Sequence, residues 1–315
     1  MTSSIPYRPI SEFYFKLFGE KVYKIPLAFA DNCPNRMGIN GMETCVFCDE
    51  YGSAADTDKF GLDLHGQIEN YKQKYIKKYK AKKFLAYFQA YTNTFVKATT
   101  LKKNLAASLQ FEDMVGIVLG TRPDCLSPVV LEIWNEITRK AYLGVELGVQ
   151  SFFEDDLEFM KRGHDVKSSL KAIDLIAKKT SVDLGIHLIF GNPNETDERI
   201  LETAKRVNDL PIRNIKLHHL HVLKNTTLET IYRSGGFQPV DFETYCHRVD
   251  LFLSKLDPRF YIHRLAGFSP RWDELVAPAW TANKMKTHQE IIDYLHSKQT
   301  TQGCRLTPDS ASSLF

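Results

Sequence analysis

Short apolar segments rich in β-branched and aromatic residues recur every few tens of residues along the chain, and longer segments with helical periodicity separate them. Signals for helix starts lie between the apolar segments, as where Ser127 precedes Pro128 or Thr196 precedes Asp197. The alternation predicts an α/β fold with a parallel sheet, either open and doubly wound or closed as a barrel. The apolar segments predict six strands, over 24–29, 84–89, 115–119, 143–149, 182–190 and 214–222.

After the sixth predicted strand the pattern changes to mixed aromatic and basic residues, as in F-Y-I-H-R-L-A-G-F. His263 and Arg264 of this stretch are candidates for substrate selection at the mouth of the α/β domain. We therefore expect four parts, an N-terminal segment (1–21), the α/β domain (22–235), a C-terminal cap of mixed helix and strand (236–299) and a loose tail (300–315).

The composition is that of an ordinary soluble globular protein, with 43% hydrophobic and 25% charged residues in 315. No apolar run reaches the roughly 18 residues that span a bilayer, and the polar N-terminus does not read as a signal peptide. We expect a cytoplasmic protein with no membrane partner. The six cysteines are too scattered for a disulfide scaffold, which also favours a reducing compartment.

The formal net charge of +3 is too small to indicate nucleic-acid binding, because that signal is a concentrated basic face. One stretch, 72–83, does concentrate seven lysines, and a helix there would gather Tyr71, Tyr75 and Tyr79 on one face. The simpler interpretation is a solvated amphipathic helix. The alternative is a ridge that contacts the phosphates of RNA.

Three cysteines carry the main chemical signal: Cys33, Cys45 and Cys48 form a C-x11-C-x2-C group. A C-x2-C pair points two sulfurs at one centre, and thiolates bind zinc or iron–sulfur clusters. The turn-forming residues between Cys33 and Cys45 allow the chain to wrap around a bulky object such as a cubane, and three cysteines leave one iron open. Two alternatives remain, buried thiols without a ligand and structural zinc with a fourth ligand from Asp31, Asp49 or His65.

Polar residues cluster where the predicted strands end, which is where parallel α/β folds bind ligands. Residues 89–94 follow the second strand, Thr121 and Arg122 the third, and Glu146 and Gln150 lie in and after the fourth. The fifth strand carries His187. Around the sixth strand are His218, His219, His221 and Lys224, where alternation sends His218 to one face and His219 with His221 to the other. The recurrence predicts a ligand pocket.

Several motifs together resemble the radical S-adenosylmethionine superfamily, most closely the YhcC-like group related to the Elongator catalytic subunit. The resemblance runs from about Val22 to the C-terminus. It rests on C-P-N-R-x-G at Cys33, C-x-F-C at Cys45, A-Y-F-Q-A-Y-T-N-T-F from Ala86, G-T-R-P-D-C from Gly120, E-L-G-V-Q-S from Glu146, K-R-G-H-D from Lys161, H-L-I-F-G-N-P-N-E from His187 and K-L-H-H-L-H-V-L-K from Lys216.

This resemblance implies a partial (β/α)6 barrel of the TIM type in which Cys33, Cys45 and Cys48 bind a 4Fe-4S cluster, with S-adenosylmethionine as the second cofactor. Phe47 would lie near the adenine. Gln150 and Arg162 resemble the ribose- and carboxylate-binding pair of oxygen-independent coproporphyrinogen oxidase. The cofactor-binding residues would be Phe47, Gln89, Tyr91, Thr92, Asn93, Thr94, Arg122, Glu146, Gln150, Arg162 and His187.

The family chemistry is reductive cleavage of S-adenosylmethionine to a 5'-deoxyadenosyl radical, which abstracts a hydrogen from the substrate. It implies an external electron donor such as flavodoxin or ferredoxin, and the Elongator resemblance adds tRNA to small molecules and peptides as candidate substrates. The alternative function is an iron–sulfur binding or electron-transfer protein without radical catalysis. Candidate substrate contacts are His218, His221, Lys224, His263 and Arg264.

Overall fold

The predicted α/β order is confirmed in the computed structural model, which describes residues 5–52, 62–269 and 271–306. Seven parallel strands form one sheet whose spatial order follows the sequence, and the sheet curls into a half-barrel. Its strands are β1 (Val22–Leu27), β2 (Lys83–Phe88), β3 (Met114–Thr121), β4 (Tyr142–Gln150), β5 (Asp183–Phe190), β6 (Asn214–His219) and, after the short β7 (Val222–Leu223), β8 (Tyr261–Ile262). In a second sheet β7 pairs antiparallel with β9 (Leu275–Ala277).

Helices connect the strands and cover the outer face of the sheet. Two predicted helix starts are confirmed, because Ser127 Oγ accepts from the Val130 amide at 3.3 Å and Thr196 Oγ1 accepts from the Arg199 amide at 3.4 Å. The helices are α1 (Ile10–Phe18), α2 (Leu64–Tyr79), α3 (Ala98–Ser108), α4 (Pro128–Thr138), α5 (Glu154–Phe159), α6 (Val166–Lys179), α7 (Asp197–Asn208), α8 (Thr227–Arg233), α9 (Phe242–Lys255) and α10 (Lys284–Ser297).

The main core lies between the sheet and these helices and holds fully buried side chains such as Trp134, Phe84 and Phe252. Burial of one large apolar side chain contributes about 1.5–3 kcal/mol, so this layer is the principal source of stability. It fixes the strands whose carboxyl ends carry the polar residues. No helix of the described residues is both long and apolar enough to cross a membrane.

The N-terminal segment fills the half-barrel at the amino ends of its strands. Ile10 and Tyr14 of α1 pack in a second apolar cluster with Leu85, Tyr87, Val118 and Tyr261. Pro9 forms a parallel bridge with Ile262 of β8, and α1 contacts both β1 and β8. This helix therefore links the two edges of the sheet, and it closes the interior from below.

Two parts of the predicted division differ in the structure. The predicted cap (236–299) contributes β8 to the barrel sheet, where Tyr261 and Ile262 pair with β6. The predicted loose tail is packed as far as residue 306, because Thr300 is buried, Gly303 N donates to Leu253 O and Arg305 N donates to Ser254 O. These backbone bonds tie the segment to the end of α9. Residues 1–4 and 307–315 lie outside the described part of the chain.

The lysine-rich stretch forms α2 as predicted, and its tyrosines stack along one side. The ring centroids of Tyr71 and Tyr75 are 6.0 Å apart, those of Tyr75 and Tyr79 are 5.7 Å apart, and Tyr79 stacks on Tyr23 at 5.4 Å. Lys72 pairs with Asp113 at 2.8 Å, and most of the other lysines are exposed. The tyrosines thus serve packing, and RNA contact by this helix stays a prediction.

Candidate functional site

One cavity opens at the carboxyl ends of the barrel strands, where the sequence predicted it. Its lining includes the cysteines with Arg162, here called the cysteine end, and His187, His218, His219 and His221, which together with Arg264 bonded to His218 are called the histidine end. Fourteen predicted residues line the cavity: Cys33, Cys45, Phe47, Cys48, Gln89, Tyr91, Thr92, Arg122, Glu146, Gln150, Arg162, His187, His218 and His221.

The cysteine loop is shaped by left-handed turns and held by distant backbone. Gly38 and Asn40 have φ of 65° and 53°, which reverses the chain between Cys33 and Cys45. Within the C-x2-C turn, Cys48 N donates to Cys45 O at 3.0 Å. The fully buried Val46 donates its N–H to Met160 O, and its carbonyl accepts from Leu228 N, so the turn is clamped between the ends of α5 and α8.

Cationic side chains approach the sulfurs. Arg162 Nη1 lies 3.2 Å from Cys45 Sγ, and Arg36 Nη1 lies 3.8 Å from Cys48 Sγ. Burial, with further contributions from Cys45 and Asp49, raises the pKa of Cys48 to about 12. Thiols this close together ionise jointly only when a positive centre binds them. The donor set and the two guanidinium groups therefore fit an anionic cluster bound through three thiolates.

The candidate fourth ligands for zinc lie in other interactions. Asp49 forms a buried ion pair with Arg271, and the His65 ring packs 5.0 Å from the Phe111 ring. Asp31 is exposed. Within the described part of the chain, no three His, Cys, Asp or Glu side chains are placed to hold a single metal ion. The residues named for zinc thus have other partners or face solvent, whereas the three cysteines share the cavity.

The segment after β2 divides into a cavity wall and its support. Tyr91 and Thr92 line the cavity, and the Tyr91 ring packs so tightly on Gly52 that a Cβ there would come within 2.4 Å of it. Asn93 and Thr94 do not line the cavity, contrary to prediction. Asn93 Nδ2 donates to the carbonyls of Phe88 and Gly120, and Thr94 Oγ1 donates to Cys125 O, so both brace neighbouring strands.

Gln150 and Arg162 meet over the end of β4, as the family pattern implied. Gln150 has a left-handed φ of 71°, and the ladder between β4 and β5 shifts register before it. A Cβ on Gly148 would lie 2.7 Å from Gln150 Nε2 and 3.1 Å from Arg162 Nη2, so glycine is required for these two side chains to converge. Arg122 is paired with Asp124 at 2.8 Å and donates to Asn35, which supports the cysteine loop from below.

A buried carboxylate, Glu146, organises the barrel interior beneath the cavity. It accepts from Lys24 and Lys216 at 2.9 Å each, from the Tyr87 hydroxyl at 2.9 Å and from His187 Nε2 at 2.8 Å. Burial alone would raise the pKa of Glu146. The two lysines nevertheless hold this pKa well below its usual value. Burial lowers the pKa of Lys216 to about 7. A neutralised, fully bonded carboxylate of this kind stiffens the strands around it.

The histidine end consists of rings packed against one another. The His187 and His218 ring centroids lie 4.9 Å apart, and those of His219 and His221 lie 5.0 Å apart. All three histidines around β6 line the same cavity, whereas strand alternation predicted two faces. The alternation no longer holds because β6 ends at His219 and His221 lies in the short link to β7.

The remaining substrate candidates lie outside the cavity lining. Lys224 is exposed, and its amide bonds to Glu274 O. His263 lies lower in the barrel, 2.6 Å from Asn214 Oδ1 and 3.2 Å from Lys24 Nζ, so it supports the Glu146 network. Arg264 stands behind His218, with Nη2 2.6 Å from His218 Nδ1.

Three residues at the cavity or in the Glu146 network were not among the predicted site residues. His219 lines the cavity, and Lys216 and Tyr87 bond Glu146 from below. The available signal was alternation within strands, since Glu146, Tyr87 and Lys216 are polar positions inside otherwise apolar segments that face the barrel interior.

Comparison with known proteins gives concordant results. The model described as the Radical SAM superfamily matches residues 28–207, and that of the Radical_SAM C-terminal domain matches residues 212–297. YtqA of Bacillus subtilis (strain 168) is 33% identical, covering 91% of this chain and 88% of its own length. YhcC of Escherichia coli (strain K12) is 31% identical, with 89% of each chain covered.

Among solved structures, the archaeal Elp3 of Methanocaldococcus infernus with an N-terminal deletion superimposes with a TM-score of 0.68 at 19% identity. The match covers 89% of this chain and 64% of that one, so this chain spans less than two thirds of that structure's length. At this identity the likeness shows the shared fold. It confirms the predicted partial barrel.

Proposed function

The chain belongs to the radical SAM superfamily, and from this premise we propose that it reductively cleaves S-adenosylmethionine at a 4Fe-4S cluster to a 5'-deoxyadenosyl radical, which takes a hydrogen atom from a bound substrate. The supporting observation is that Cys33, Cys45 and Cys48 share one cavity with Gln150, Arg162 and the histidine end. When bound through three cysteines, the cluster supplies the reducing electron and an iron open to the methionine end of the nucleotide.

Each part of the cavity has a separate task in this proposal. Arg162 and Arg36 stabilise the negative charge on the sulfurs of Cys45 and Cys48. Phe47 and Gln150 hold the nucleoside, and the apolar wall of Ile189, Leu220 and Leu223 excludes water from the reacting atoms. The histidine end faces the same space and receives the substrate.

The two predicted macromolecular partners remain proposals. An external donor of the flavodoxin or ferredoxin type would deliver the electron, since the described residues hold no second cysteine group close to the first. We keep transfer RNA as a candidate substrate beside small molecules and peptides.

The decisive experiment is anaerobic reconstitution with iron and sulfide, reduction, addition of S-adenosylmethionine and quantification of 5'-deoxyadenosine. We expect the native chain to form it and Cys33→Ala, Cys45→Ala and Cys48→Ala to fall to background. Cys304→Ala is the matched control, because Cys304 is an exposed cysteine outside the cavity. It should behave as the native chain.

A clear negative result would support the alternative function. If the native protein carries the cluster and binds S-adenosylmethionine but releases no 5'-deoxyadenosine under any reductant, it is a cluster-containing binding or electron-transfer protein. If all three cysteine variants retain the cluster, the proposed ligand set is wrong.

A further inference from the structure

The histidine end combines buried cations with too few buried anions. Lys24, Lys216 and Arg264 surround this region, and Glu146 is the carboxylate that bonds to the two lysines. Asp49 also acts electrostatically on His221, but it is paired with Arg271, which also binds Glu274. Lys24 alone offsets the charge of Glu146, so Arg264 leaves the buried groups around the histidines with excess positive charge whatever the protonation state of Lys216.

The histidine rings carry no negative charge, and burial and the excess positive charge both lower their pKa values. Burial, followed by Arg264 and neighbouring groups, lowers the pKa of His218 well below its ordinary value. Burial and then Lys216 lower the pKa of His187 to about 4. Both rings are therefore neutral near pH 7, and each presents one N–H donor and one acceptor.

Arg264 is the member of this group without an ionic partner. Among the described residues it forms no salt bridge, its Nε is buried without a hydrogen-bond partner, and its Nη2 bonds to the His218 ring. A guanidinium only donates, so this bond takes His218 Nδ1 as acceptor, and the same Nη2 also lies 3.2 Å from His218 Nε2, so the guanidinium faces both ring nitrogens. Desolvating a guanidinium without a counter-ion is costly, and such arrangements are typical of sites that bind an anion.

His219 gives a second, independent indication of a ligand. Its side chain lines the cavity and is 2% exposed, yet neither ring nitrogen has a hydrogen-bond partner among the described residues. Trp280 and Tyr245 pack against the ring at centroid distances of 4.6 and 5.6 Å, which fixes its position. A buried polar ring held in this way is unsatisfied until a ligand bonds to it.

We propose that the histidine end binds an anionic group of the substrate, a carboxylate or a phosphate, through His219, with the positive charge of Arg264 beside it at His218. This inference rests on the proposed function, because the occupant is the molecule that the radical attacks. The anion neutralises the buried cations and orients the substrate in the cavity shared with the cysteines.

The test is calorimetric titration of the reconstituted protein with succinate, inorganic phosphate and the neutral analogue succinamide. Saturating S-adenosylmethionine is present, so that its own carboxylate already occupies the cysteine end. We expect succinate, phosphate or both to bind at least tenfold more tightly than succinamide. The anion that binds more tightly identifies the group as carboxylate or phosphate. Equal affinity for all three probes, or no binding of either anion at 50-fold excess over millimolar protein, overturns the proposal.

Two variants and a control locate the site. Arg264→Gln should weaken anion binding at least tenfold, and Arg264→Lys should retain part of it because the charge remains. Arg233→Gln removes an equal charge from the exposed side of α8 and should leave the affinity unchanged. If Arg264→Gln binds as tightly as the native chain, the assignment of Arg264 is wrong. Should that variant fail to fold, the comparison of succinate with succinamide on the native chain still decides.

The outcome of this titration can be distinguished from the outcome of the test of the proposed function. Formation of 5'-deoxyadenosine without anion binding would overturn only the anion site. Anion binding without 5'-deoxyadenosine would overturn the proposed function and with it the identification of the anion as a substrate group.

Discussion

The two ends of the cavity are built in different ways. The cysteine end is a loop of turns between Cys33 and Cys48, held by the backbone bonds of Val46 to the ends of α5 and α8 and by the side chain of Asn35. The histidine end stands on the central strands and on the Glu146 network, in which Lys24 and Lys216 bond one carboxylate from two different strands. The first is a loop that carries the thiols, and in the second the Glu146 network is bonded internally whereas His219 keeps both ring nitrogens without a partner among the described residues.

The difference indicates that the two ends have separate roles, one in cofactor chemistry and the other in the stability of the fold. Strand-borne groups with several mutual bonds are fixed by folding itself, and they position whatever binds against them. Loop-borne sulfurs are fixed only when a cluster connects them. Substitutions at the histidine end should therefore change stability strongly, whereas those at the cysteine end should change cofactor binding more than stability.

The largest effect is expected from Glu146→Gln. The change leaves Lys24 and Lys216 buried without their counter-ion, and breaking a buried pair in this way costs about 3–5 kcal/mol. Urea unfolding of the cluster-free protein at pH 7, followed by circular dichroism, measures it. Glu12→Gln removes an exposed pair with Lys16 on α1 and should cost less than about 1 kcal/mol. Equal losses in the two variants would contradict the comparison.

A smaller effect is expected where the cysteine loop meets the framework. Asn35 Nδ2 donates to Glu43 O at 2.7 Å and to Lys161 O at 2.6 Å, and the residue is 2% exposed. Asn35→Ala removes both bonds and also the oxygen that accepts from Arg122, so we expect a loss of at least about 2 kcal/mol in the free energy of unfolding. Hydrogen exchange should show faster opening in residues 33–48 than elsewhere. Asn70→Ala, on the exposed side of α2, is the control and should stay within about 0.5 kcal/mol.

The histidine end should contribute to the pH dependence of stability. Burial lowers the pKa of His221 to about 4, while an unfolded histidine titrates near 6.5. Between these values the unfolded chain binds a proton that the folded chain does not. Stability is therefore complete above about pH 6.5 and falls as the pH falls, by about 1.4 kcal/mol for one such histidine at pH 5.5. His221→Gln should reduce the measured loss of stability at pH 5.5 by that amount. An unchanged loss would show that His221 is not buried in its neutral form.

The smallest change in stability is expected at the cysteine end itself. Cys48 is half-buried in a loop, so Cys48→Ala should alter the free energy of unfolding of the cluster-free protein by less than about 1 kcal/mol. The same variant should form no 5'-deoxyadenosine after reconstitution. Urea unfolding and the nucleoside assay measure the two quantities on one preparation. A loss above about 3 kcal/mol would mean that the cysteine loop contributes to the stability of the fold as strongly as the histidine end does.

The sequence reveals the cysteine end more readily than the histidine end because the former is a local motif. Cys45 and Cys48 are three positions apart, and their turn can be inferred from spacing alone. Lys24 and Glu146 are 122 positions apart, and Lys216 is 70 positions beyond Glu146. Their meeting depends on the register of the strands between them, which apolar alternation predicts only to within a residue or two.

Other differences between the predictions from sequence and the structure arise from short elements and from hydrogen bonds between distant parts of the chain. The strand β8 has only two residues, Tyr261 and Ile262, and so carries no periodic signal. The polar composition of the segment after Thr300 gives no indication that its backbone bonds to α9 and that Gln302 N bonds to Pro6 O. Asn93 and Thr94 were predicted to bind the cofactor because they are polar residues at the end of a strand. Polar groups in that place either bind ligands or bond to neighbouring backbone, and only geometry distinguishes the two roles.

The helix α1 has a consequence for how the molecule is made. It leaves the ribosome long before its partners Tyr261 and Ile262, which emerge more than two hundred residues later. Until then Ile10 and Tyr14 have no complete surface to cover. Nascent chains shortened before residue 260 should therefore expose these side chains to chaperones and proteases, and sealing of the barrel floor should be a late event of synthesis.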